Sequence, residues 1–319
     1  MTNLAIAATG LRKSYRDKNG EKVVLDGIDL NVPEGTVFSL LGPNGAGKTT
    51  TVQILSTLIP ADAGTVRVAG HDLARNPDDV RGAIGVTGQY SAVDKLLTGE
   101  ENLLLMADLE HLSRRDGRRR AAELLERFDL VEAGRKPAGT YSGGMQRRLD
   151  LAMTLVGEPR LIFLDEPTTG LDPRSRRAMW QTVRELVRNG VTIFLTTQYL
   201  EEADELADRI AVLDHGRLIA EGTSEELKRL IPGGHVSLRF PDDDALKDAL
   251  GALGRGFVDP ADDDGLTLQV PSDGGVASLR DLLARLDAAG VEPAALSVHT
   301  PDLDDVFLTL TGQTQEASR

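Results

Sequence analysis

Three short segments carry residues whose types and spacing suit the binding of phosphate groups. They read GPNGAGKT at Gly42–Thr49, SGG at Ser142–Gly144 and LIFLDEP at Leu161–Pro167. Glycines in the first segment let the backbone turn tightly and point its N–H groups at an anion, beside the positive end of a helix. The last segment ends an apolar run with two carboxylates, and carboxylate oxygens suit Mg²⁺. Together the segments predict a site for phosphates and a divalent ion.

The first segment has the context that a phosphate-binding loop requires. The apolar run SLLG predicts a strand before it, and GKTTTVQILSTL predicts a helix after it. In such a loop Lys48 reaches the β- and γ-phosphates of a nucleotide, and the Thr49 hydroxyl ligates Mg²⁺. A glycine-rich loop with an incidental lysine is the alternative, and the flanking strand and helix disfavour it.

The other two segments supply an acidic strand end and a second anion site. Asp165 and Glu166 follow an apolar strand, so they are expected at the sheet edge where ligands of such folds gather. Asp165 is predicted to hold Mg²⁺, directly or through water, and Glu166 to orient or deprotonate an attacking water. Ser142–Gly144 begins the predicted helix GGMQRRLDLAMTL, where a hydroxyl and free N–H groups can bind an anion. A plain helix cap would explain SGG alone, but its neighbours favour the anion site.

The composition limits the kind of protein. The 319 residues are enough for two domains, and 40% hydrophobic with 27% charged residues is typical of a globular chain. No run approaches the ~20 apolar residues of a membrane span, and the first residues lack the pattern of a signal peptide. The absence of cysteine excludes a disulfide framework, and the five histidines are too scattered for a metal site. We therefore expect a cytosolic chain.

Charge divides the chain in two and argues against nucleic acid as a partner. The net charge is −14, whereas binding to a nucleic-acid backbone draws on an excess of Lys and Arg. From Gly233 onward there are 16 Asp and Glu against 6 Lys and Arg; the first 232 residues hold 34 against 30. This shift, together with the sequence IPGG, predicts a domain boundary near Ile231–Gly234.

The order of predicted elements indicates a mostly parallel α/β domain interrupted by helices. Short strands are expected up to about Leu41, a helical region from Thr98 to about Val156, and apolar strands again in RLIFLDEP, VTIFLTTQ and RIAVLDHG. The last segment, with strands HVSLRF, GLTLQV and ALSVHT between helices, predicts a small α/β or α+β domain. The predicted divisions are a domain at 1–230 with a helical insertion at about 92–158, an acidic domain at 233–312, and a frayed tail at 313–319.

The motifs, in their order along the chain, resemble the nucleotide-binding subunit of ATP-binding cassette (ABC) transporters. The resemblance rests on the phosphate loop, Gln89, YSGGMQ, LIFLDEP and TGLD at Thr169–Asp172, and it covers about residues 4–230. It implies a P-loop NTPase core with an antiparallel β subdomain and a helical insertion. It also implies ATP hydrolysis with Mg²⁺.

The resemblance further implies a role for each matching residue. Tyr15 would stack on adenine, Gln89 would sense Mg²⁺ and water, and Leu171 and Asp172 would lie across a dimer interface. Ser142–Gly144 would bind the γ-phosphate held by the opposite subunit. The first loop would contact nucleotide through Gly42, Pro43, Asn44, Gly45, Ala46, Gly47, Lys48, Thr49 and Thr50.

One position departs from the family pattern. Gln198 stands where the family usually has a histidine that contacts the γ-phosphate. Glutamine can donate an amide N–H to that oxygen but cannot become cationic near neutral pH. An inactive site is one interpretation; a working site with an altered switch is favoured, because Lys48, Asp165 and Glu166 are all present. TTQYLEEAD and the closing LDDVFLTLTG at Leu303–Gly312 resemble the daunorubicin and doxorubicin resistance branch of the family, so Gln198 is interpreted as a trait of that branch.

The resemblance implies a homodimer that encloses two ATP·Mg²⁺ and works with separate integral-membrane permease subunits. The chain is then expected at the cytoplasmic face of the membrane, as a peripheral subunit of an exporter. Three alternatives stay open: the ATPase of an importer, a non-transport ABC ATPase acting on ribosomes or DNA, and a regulator that binds nucleotide without turnover.

Overall fold

The computed structural model describes residues 3–17, 20–88, 92–231, 234–253, 266–272, 275–299 and 301–316. The chain forms two compact units, Met1–Ser224 and Glu225–Arg319. The strands of the described residues are β1 (Leu4–Asp17), β2 (Gly20–Pro33), β3 (Val37–Leu41), β4 (Ala63–Val68), β5 (His71–Asp72), β6 (Ile84–Thr87), β7 (Leu161–Asp165), β8 (Thr192–Thr197), β9 (Arg209–Asp214), β10 (Arg217–Gly222), β11 (His235–Arg239), β12 (Thr267–Pro271) and β13 (Ala295–His299). The α-helices there are α1 (Lys48–Leu55), α2 (Pro77–Ala83), α3 (Gly99–Leu109), α4 (Arg114–Arg127), α5 (Gly143–Thr154), α6 (Pro173–Arg188), α7 (Leu200–Leu206), α8 (Ser224–Lys228), α9 (Asp243–Leu253), α10 (Val276–Ala288) and α11 (Leu303–Glu316).

A six-stranded sheet in the order β10-β9-β3-β8-β7-β6 forms the centre of the first unit. Its strands β3, β6, β7, β8 and β9 are parallel, and β10 pairs antiparallel with β9. All residues of β3, β7 and β8 are buried, as expected for a parallel sheet covered on both faces. Leu41 pairs with Thr197, Asp165 with Thr196 and Leu164 with Thr87. Four strands therefore end level with one another at one edge.

A second, antiparallel sheet in the order β2-β1-β4-β5 lies in the same unit. Its two first strands are 14 residues each, longer than the short strands expected from the sequence. The pairing of β1 with β2 shifts register between Ala8 and Leu11, where Gly10 has a φ of 62°. A glycine accepts this left-handed conformation without strain, so the strand continues through Gly10 with a bulge.

Helices α3, α4 and α5 account for the helical region predicted between Thr98 and Val156. Each begins at a residue whose side chain caps the helix. Thr98 forms a capping box with Glu101, Ser113 accepts from the Asp116 N–H, and Ser142 accepts from the Met145 N–H. The charged run Arg114–Arg120 forms the first half of α4.

Buried aromatic and aliphatic side chains hold the central sheet in place. Phe38 and Phe194 stack with ring centroids 5.7 Å apart, and Phe163 lies 5.6 Å from Phe194. All three are fully buried. They belong to a core that also includes apolar residues of β1, β2 and α1, so the two sheets of this unit share one packed interior.

The second unit contains a three-stranded antiparallel sheet in the order β12-β11-β13. Val236 and Leu238 of β11, Leu268 of β12 and Leu286 of α10 form part of its own core. This is the α+β form of the two that the sequence left open. Helix α11 continues to Glu316, and residues 317–319 of the tail predicted to fray lie outside the described residues.

The arrangement confirms the predicted fold class of the larger unit: a P-loop α/β core, an antiparallel β subdomain and a helical segment. Within the described part of the chain, no helix is long and apolar enough to cross a membrane.

The aromatic core makes a first test possible. Phe194→Ala should lower the free energy of unfolding of the first unit by about 3–5 kcal/mol, because it removes a ring that packs on two others. Trp180, the only tryptophan, lies in this unit and reports its urea unfolding by fluorescence. Leu58→Ala, at a side chain that is 67% exposed, is the control and should change the value by less than about 0.5 kcal/mol. Equal losses in the two variants would contradict this description of the core.

Candidate functional site

The loop between β3 and α1 is built for a close approach of its backbone to a ligand. Gly45 and Gly47 have φ values of 82° and 116°. Residues other than glycine rarely adopt a positive φ of this size, because their Cβ clashes with the backbone. A Cβ on Gly42 would lie 2.3 Å from the Leu213 carbonyl oxygen, and one on Gly47 would lie 2.7 Å from Leu25 Cδ2. Glycine is therefore required at these positions on steric grounds, and the loop leads directly into the N-terminus of α1.

Lys48 carries the positive charge of this loop and is 5% exposed. Its ammonium donates to the carbonyl oxygens of Gly42 at 2.7 Å and Pro43 at 3.1 Å. It also lies 3.9 Å from Glu166 Oε1. Burial lowers the pKa of the Lys48 ammonium, and the carboxylates of Glu166 and Asp165 partly oppose that shift. The lysine charge is thus held at the loop by nearby oxygens.

Asp165 and Glu166 come at the end of β7, beside the loop. Asp165 is 4% exposed, and the Thr196 hydroxyl of β8 donates to its Oδ1. The Glu166 N–H donates to the Thr196 carbonyl oxygen at 3.0 Å, and the Thr169 hydroxyl donates to Glu166 Oε2 at 3.3 Å. Glu166 has a φ of 50°, a left-handed conformation that costs a non-glycine residue free energy and often marks a functional site.

The SGG turn begins α5 with Ser142 as its N-cap. The Ser142 hydroxyl accepts from the Met145 N–H at 3.3 Å, and both Ser142 and Gly143 are exposed. A Cβ on Gly144 would lie 2.6 Å from Ser175 Oγ at the start of α6. The turn is therefore exposed at Ser142 and Gly143, while at Gly144 it packs closely against the segment that follows Asp172.

Asp172 is the N-cap of α6. Its Oδ1 accepts from the N–H groups of Arg174 and Ser175, each at 3.0 Å, and its Oδ2 accepts from the Ser175 hydroxyl at 2.6 Å. These hydrogen bonds, that of the Ser175 hydroxyl first, lower the pKa of Asp172. In this subunit Asp172 fixes a helix start next to the SGG turn, and its neighbour Leu171 is half-buried.

The remaining predicted residues have different positions. Gln198 directly follows β8 and is half-buried at the same sheet edge as Lys48 and Asp165. Tyr15 lies on β1 with 43% of its surface exposed, and the Lys13 ammonium is 5.6 Å from its ring centroid. Gln89 lies outside the described residues.

The other predicted residues of the first loop and of the start of α1 differ in their solvent exposure. Asn44 and Thr49 are exposed, Pro43 and Thr50 are half-buried, and Ala46 is buried. The Thr49 side chain therefore has solvent access beside the buried Lys48.

Glu202, a fully buried carboxyl group in α7, was not predicted from the sequence. Trp180 Nε1 donates to its Oε1 at 3.2 Å, whereas its Oε2 and the buried Thr168 hydroxyl lack hydrogen bonds of normal geometry within the described residues. Burial raises the pKa of Glu202; the nearby Thr197 and Thr168 hydroxyls and the indole N–H partly oppose it. A signal was available: Glu202 precedes buried Leu206 by four residues, which turns it inward on a helix.

Comparisons with known proteins show the family of this chain. A family model described as "ABC transporter" matches residues 25–169. The chain is 50% identical over 312 residues to a daunorubicin resistance ATP-binding protein of Streptomyces coeruleorubidus, covering 98% of this chain and 97% of that one. It is 48% identical over 322 residues to a doxorubicin resistance ATP-binding protein of Mycobacterium tuberculosis, covering 99% and 96%.

A solved structure also resembles this chain. It is the dimeric post-hydrolysis state of an ATP-binding cassette bound to ADP and phosphate, with a TM-score of 0.63 and 27% identity; the match covers 68% of this chain and 98% of that one.

The glycine loop, the acidic strand end and the SGG helix define a nucleotide-binding ATPase domain of the P-loop class. The chain belongs to the ABC transporter family, in the branch of the daunorubicin and doxorubicin resistance ATP-binding proteins. The resemblance predicted from the motifs is thus confirmed, and the chain is an ATP-binding subunit.

Buried Glu202 gives a pH-dependent prediction. Because its pKa is raised in the folded chain, its contribution to stability is present at low pH and is lost as the pH rises through that raised value. Glu202→Gln removes this loss and keeps an oxygen for the Trp180 N–H. The melting temperature of the variant should therefore exceed that of the wild type by about 2 °C or more at pH 8 and by less at pH 5.

The control for this test is Glu201→Gln, one residue earlier on an exposed side chain. It should leave the difference between the two pH values unchanged. A Glu202→Gln variant that is less stable at pH 8 than at pH 5, relative to the wild type, would disprove the assignment of a raised pKa.

Proposed function

We propose that this chain binds and hydrolyses ATP and thereby powers export of a drug, an antibiotic or a lipid-like compound through separate integral-membrane permease subunits. It acts as a peripheral subunit at the cytoplasmic face of the membrane. The observation that carries the proposal is the meeting of Lys48, Asp165 and Glu166 at one edge of a buried parallel sheet, with Lys48 Nζ 3.9 Å from Glu166 Oε1.

The residues at this edge fit ATP with Mg²⁺. Oxygen donors of the type that Mg²⁺ prefers are the exposed Thr49 hydroxyl and the Asp165 carboxylate, and Gln89 is assigned as a third ligand from the motif. The loop has no room for a Cβ at Gly42 or Gly47, so its tight turn requires glycine at both positions. Tight turns of this kind are typical of backbone cradles for phosphates. When bound, Mg²⁺ would neutralise negative charge on the phosphate oxygens.

The protein groups can then be assigned roles in phosphoryl transfer to water. Lys48 exchanges its contacts with the loop carbonyls for phosphate oxygens and stabilises their charge. Glu166 accepts a hydrogen bond from the attacking water and orients it towards the γ-phosphate. Gln198 donates its amide N–H to a γ-phosphate oxygen, a contact that needs no protonation near neutral pH.

The second half of each site comes from another copy of the chain. We assign Ser142–Gly144 to the γ-phosphate held by the opposite subunit, because they lie at the N-terminus of α5, where Ser142 and Gly143 are exposed. Leu171 and Asp172 belong to the same interface, next to the SGG turn through Ser175. Tyr15 is assigned to adenine stacking. A homologous cassette that is dimeric in its post-hydrolysis state supports this arrangement.

Export is favoured over the alternatives by the relatives. Proteins named for daunorubicin and doxorubicin resistance match this chain over almost its whole length, including the segment after Ser224. A net charge of −14 disfavours an ABC ATPase that acts on ribosomes or DNA. Cargo specificity then lies in the permease subunits.

Hydrolysis is tested by Glu166→Gln. The variant keeps the phosphate loop and should bind MgATP as tightly as the wild type, while kcat falls by about 100-fold or more because the water is no longer oriented. Steady-state phosphate release and isothermal titration calorimetry measure the two properties. Glu132→Gln, the same substitution at an exposed site, should retain full activity. A Glu166→Gln variant with normal turnover would refute the assignment.

Export is tested in cells of the source organism that lack this gene. Intracellular doxorubicin fluorescence should rise relative to the parent strain, and wild-type protein, but not the Glu166→Gln variant, should restore the parental value. Cross-linked complexes of the tagged protein should contain integral-membrane proteins. Recovery of ribosomes instead, with unchanged doxorubicin accumulation, would favour a non-transport ATPase.

A further inference from the structure

Arg147 and Asp150 form a buried ion pair in α5, one turn after the SGG segment. Arg147 Nη1 lies 3.0 Å from Asp150 Oδ2, and their side chains are only 11% and 3% exposed. Removing two charges from water is costly, and apolar residues of similar volume often stabilise a fold as well or better. Apolar residues cannot form directional hydrogen bonds. The hydrogen-bond partners of the pair therefore indicate its role.

The guanidinium of Arg147 donates to backbone oxygens on both sides of Glu166. Its Nε donates to the Pro167 carbonyl oxygen at 2.9 Å, and its Nη2 donates to that of Asp165 at 3.5 Å. The peptide groups that flank the proposed catalytic carboxylate are thus held by one rigid, planar side chain. A shift of Arg147 is therefore transmitted to the orientation of Glu166, whose own φ of 50° already depends on support from its surroundings.

The same pair also contacts the backbone at Gly88 and Ala92. Arg147 Nη1 donates to the Gly88 carbonyl oxygen at 3.1 Å, and Asp150 Oδ1 accepts from the Ala92 N–H at 3.0 Å. Gly88 is thus held by the cation of the pair and Ala92 by its anion.

We propose that the Arg147–Asp150 ion pair is a positioning unit that couples the SGG helix to Glu166 and to the backbone at Gly88 and Ala92. This inference rests on the proposed function, in which Ser142–Gly144 contact the nucleotide of the other subunit. Because the pair lies on the helix that those residues begin, any displacement of α5 on nucleotide engagement moves the pair. The pair then moves the backbone on both sides of Glu166 and at Gly88 and Ala92.

Substitutions in a positioning residue should change turnover and ATP affinity differently from substitutions in a catalytic or a purely stabilising residue. The hydrogen bonds described above join the pair to Gly88, Ala92, Asp165 and Pro167 rather than to the phosphate loop, so ATP affinity should be largely independent of the pair. Turnover should depend on it, because Glu166 must be oriented towards the attacking water. The two side chains should also act as one unit, so their substitutions should not be additive. Glu202 and Asp165 also act electrostatically on Arg147, so each substitution must be conservative in shape.

The test uses the full chain with Arg147→Gln, Asp150→Asn and the double variant. We expect kcat to fall by about tenfold or more in each single variant, while the dissociation constant for MgATP stays within about threefold of the wild-type value. The fold-decrease in kcat of the double variant should be smaller than the product of the fold-decreases of the two single variants. Arg184→Gln is the control, since it breaks an arginine–glutamate pair between α6 and α7 that is far more exposed. It should retain wild-type kcat.

Hydrogen exchange of the backbone supplies a readout that does not depend on turnover. Asp150→Asn weakens the acceptor for the Ala92 N–H, so exchange in the peptide containing Ala92 should accelerate. In the wild type, MgATP should protect peptides containing Gly88, Ala92 and Pro167 together; in Arg147→Gln this joint protection should be lost.

Three results would overturn the inference. They are an unchanged kcat in both single variants, an ATP affinity that falls as much as kcat, or a loss of kcat matched by an equally destabilised Phe194→Leu core variant. A wild-type protein that binds ATP without turnover would contradict the proposed function, yet the exchange experiment would still decide whether the pair couples these segments.

Discussion

The in-register pairing of the parallel strands β3, β7 and β8 is the constraint on which the site depends. It aligns Leu41, Asp165 and Thr197, so that the residues directly after each strand emerge at one edge. The phosphate loop, the Glu166 turn and Gln198 are distant in the sequence and become neighbours only through this register. A slip of one residue in any of these buried strands would reverse the faces of its side chains and separate Lys48 from Glu166.

Burial of that edge determines how its charges behave. A nearly dry ammonium at Lys48 must be surrounded by oxygens, and it finds them in the loop carbonyls and in Glu166. The Arg147 guanidinium is also surrounded by oxygens: it donates to Asp150 and to three backbone carbonyl oxygens. Buried cations therefore hold together the segments that meet at this edge, which joins the stability of the fold to the chemistry proposed for the site.

Local signals made much of this predictable from the sequence. A pattern of only a few residues was enough to predict the glycine phosphate loop, the apolar strand that ends in Asp165 and the helix capped by Ser142. The order of these motifs indicates the family. Glu202 and the Arg147–Asp150 pair were not predicted, because their partners Trp180, Gly88, Ala92 and Pro167 lie in other elements. Nothing in the local pattern of α5 separates the inward Arg147 from Arg148 beside it.

A structure of the Glu166→Gln variant with ATP and Mg²⁺ tests the central claim most directly. The account predicts two copies of the chain with two nucleotides between them. Each γ-phosphate would be contacted by Lys48 of one copy and by Ser142–Gly144 of the other, and Mg²⁺ by Thr49 and Asp165. A nucleotide bound away from the β3–β7–β8 edge, or a γ-phosphate complete within one copy, would contradict it.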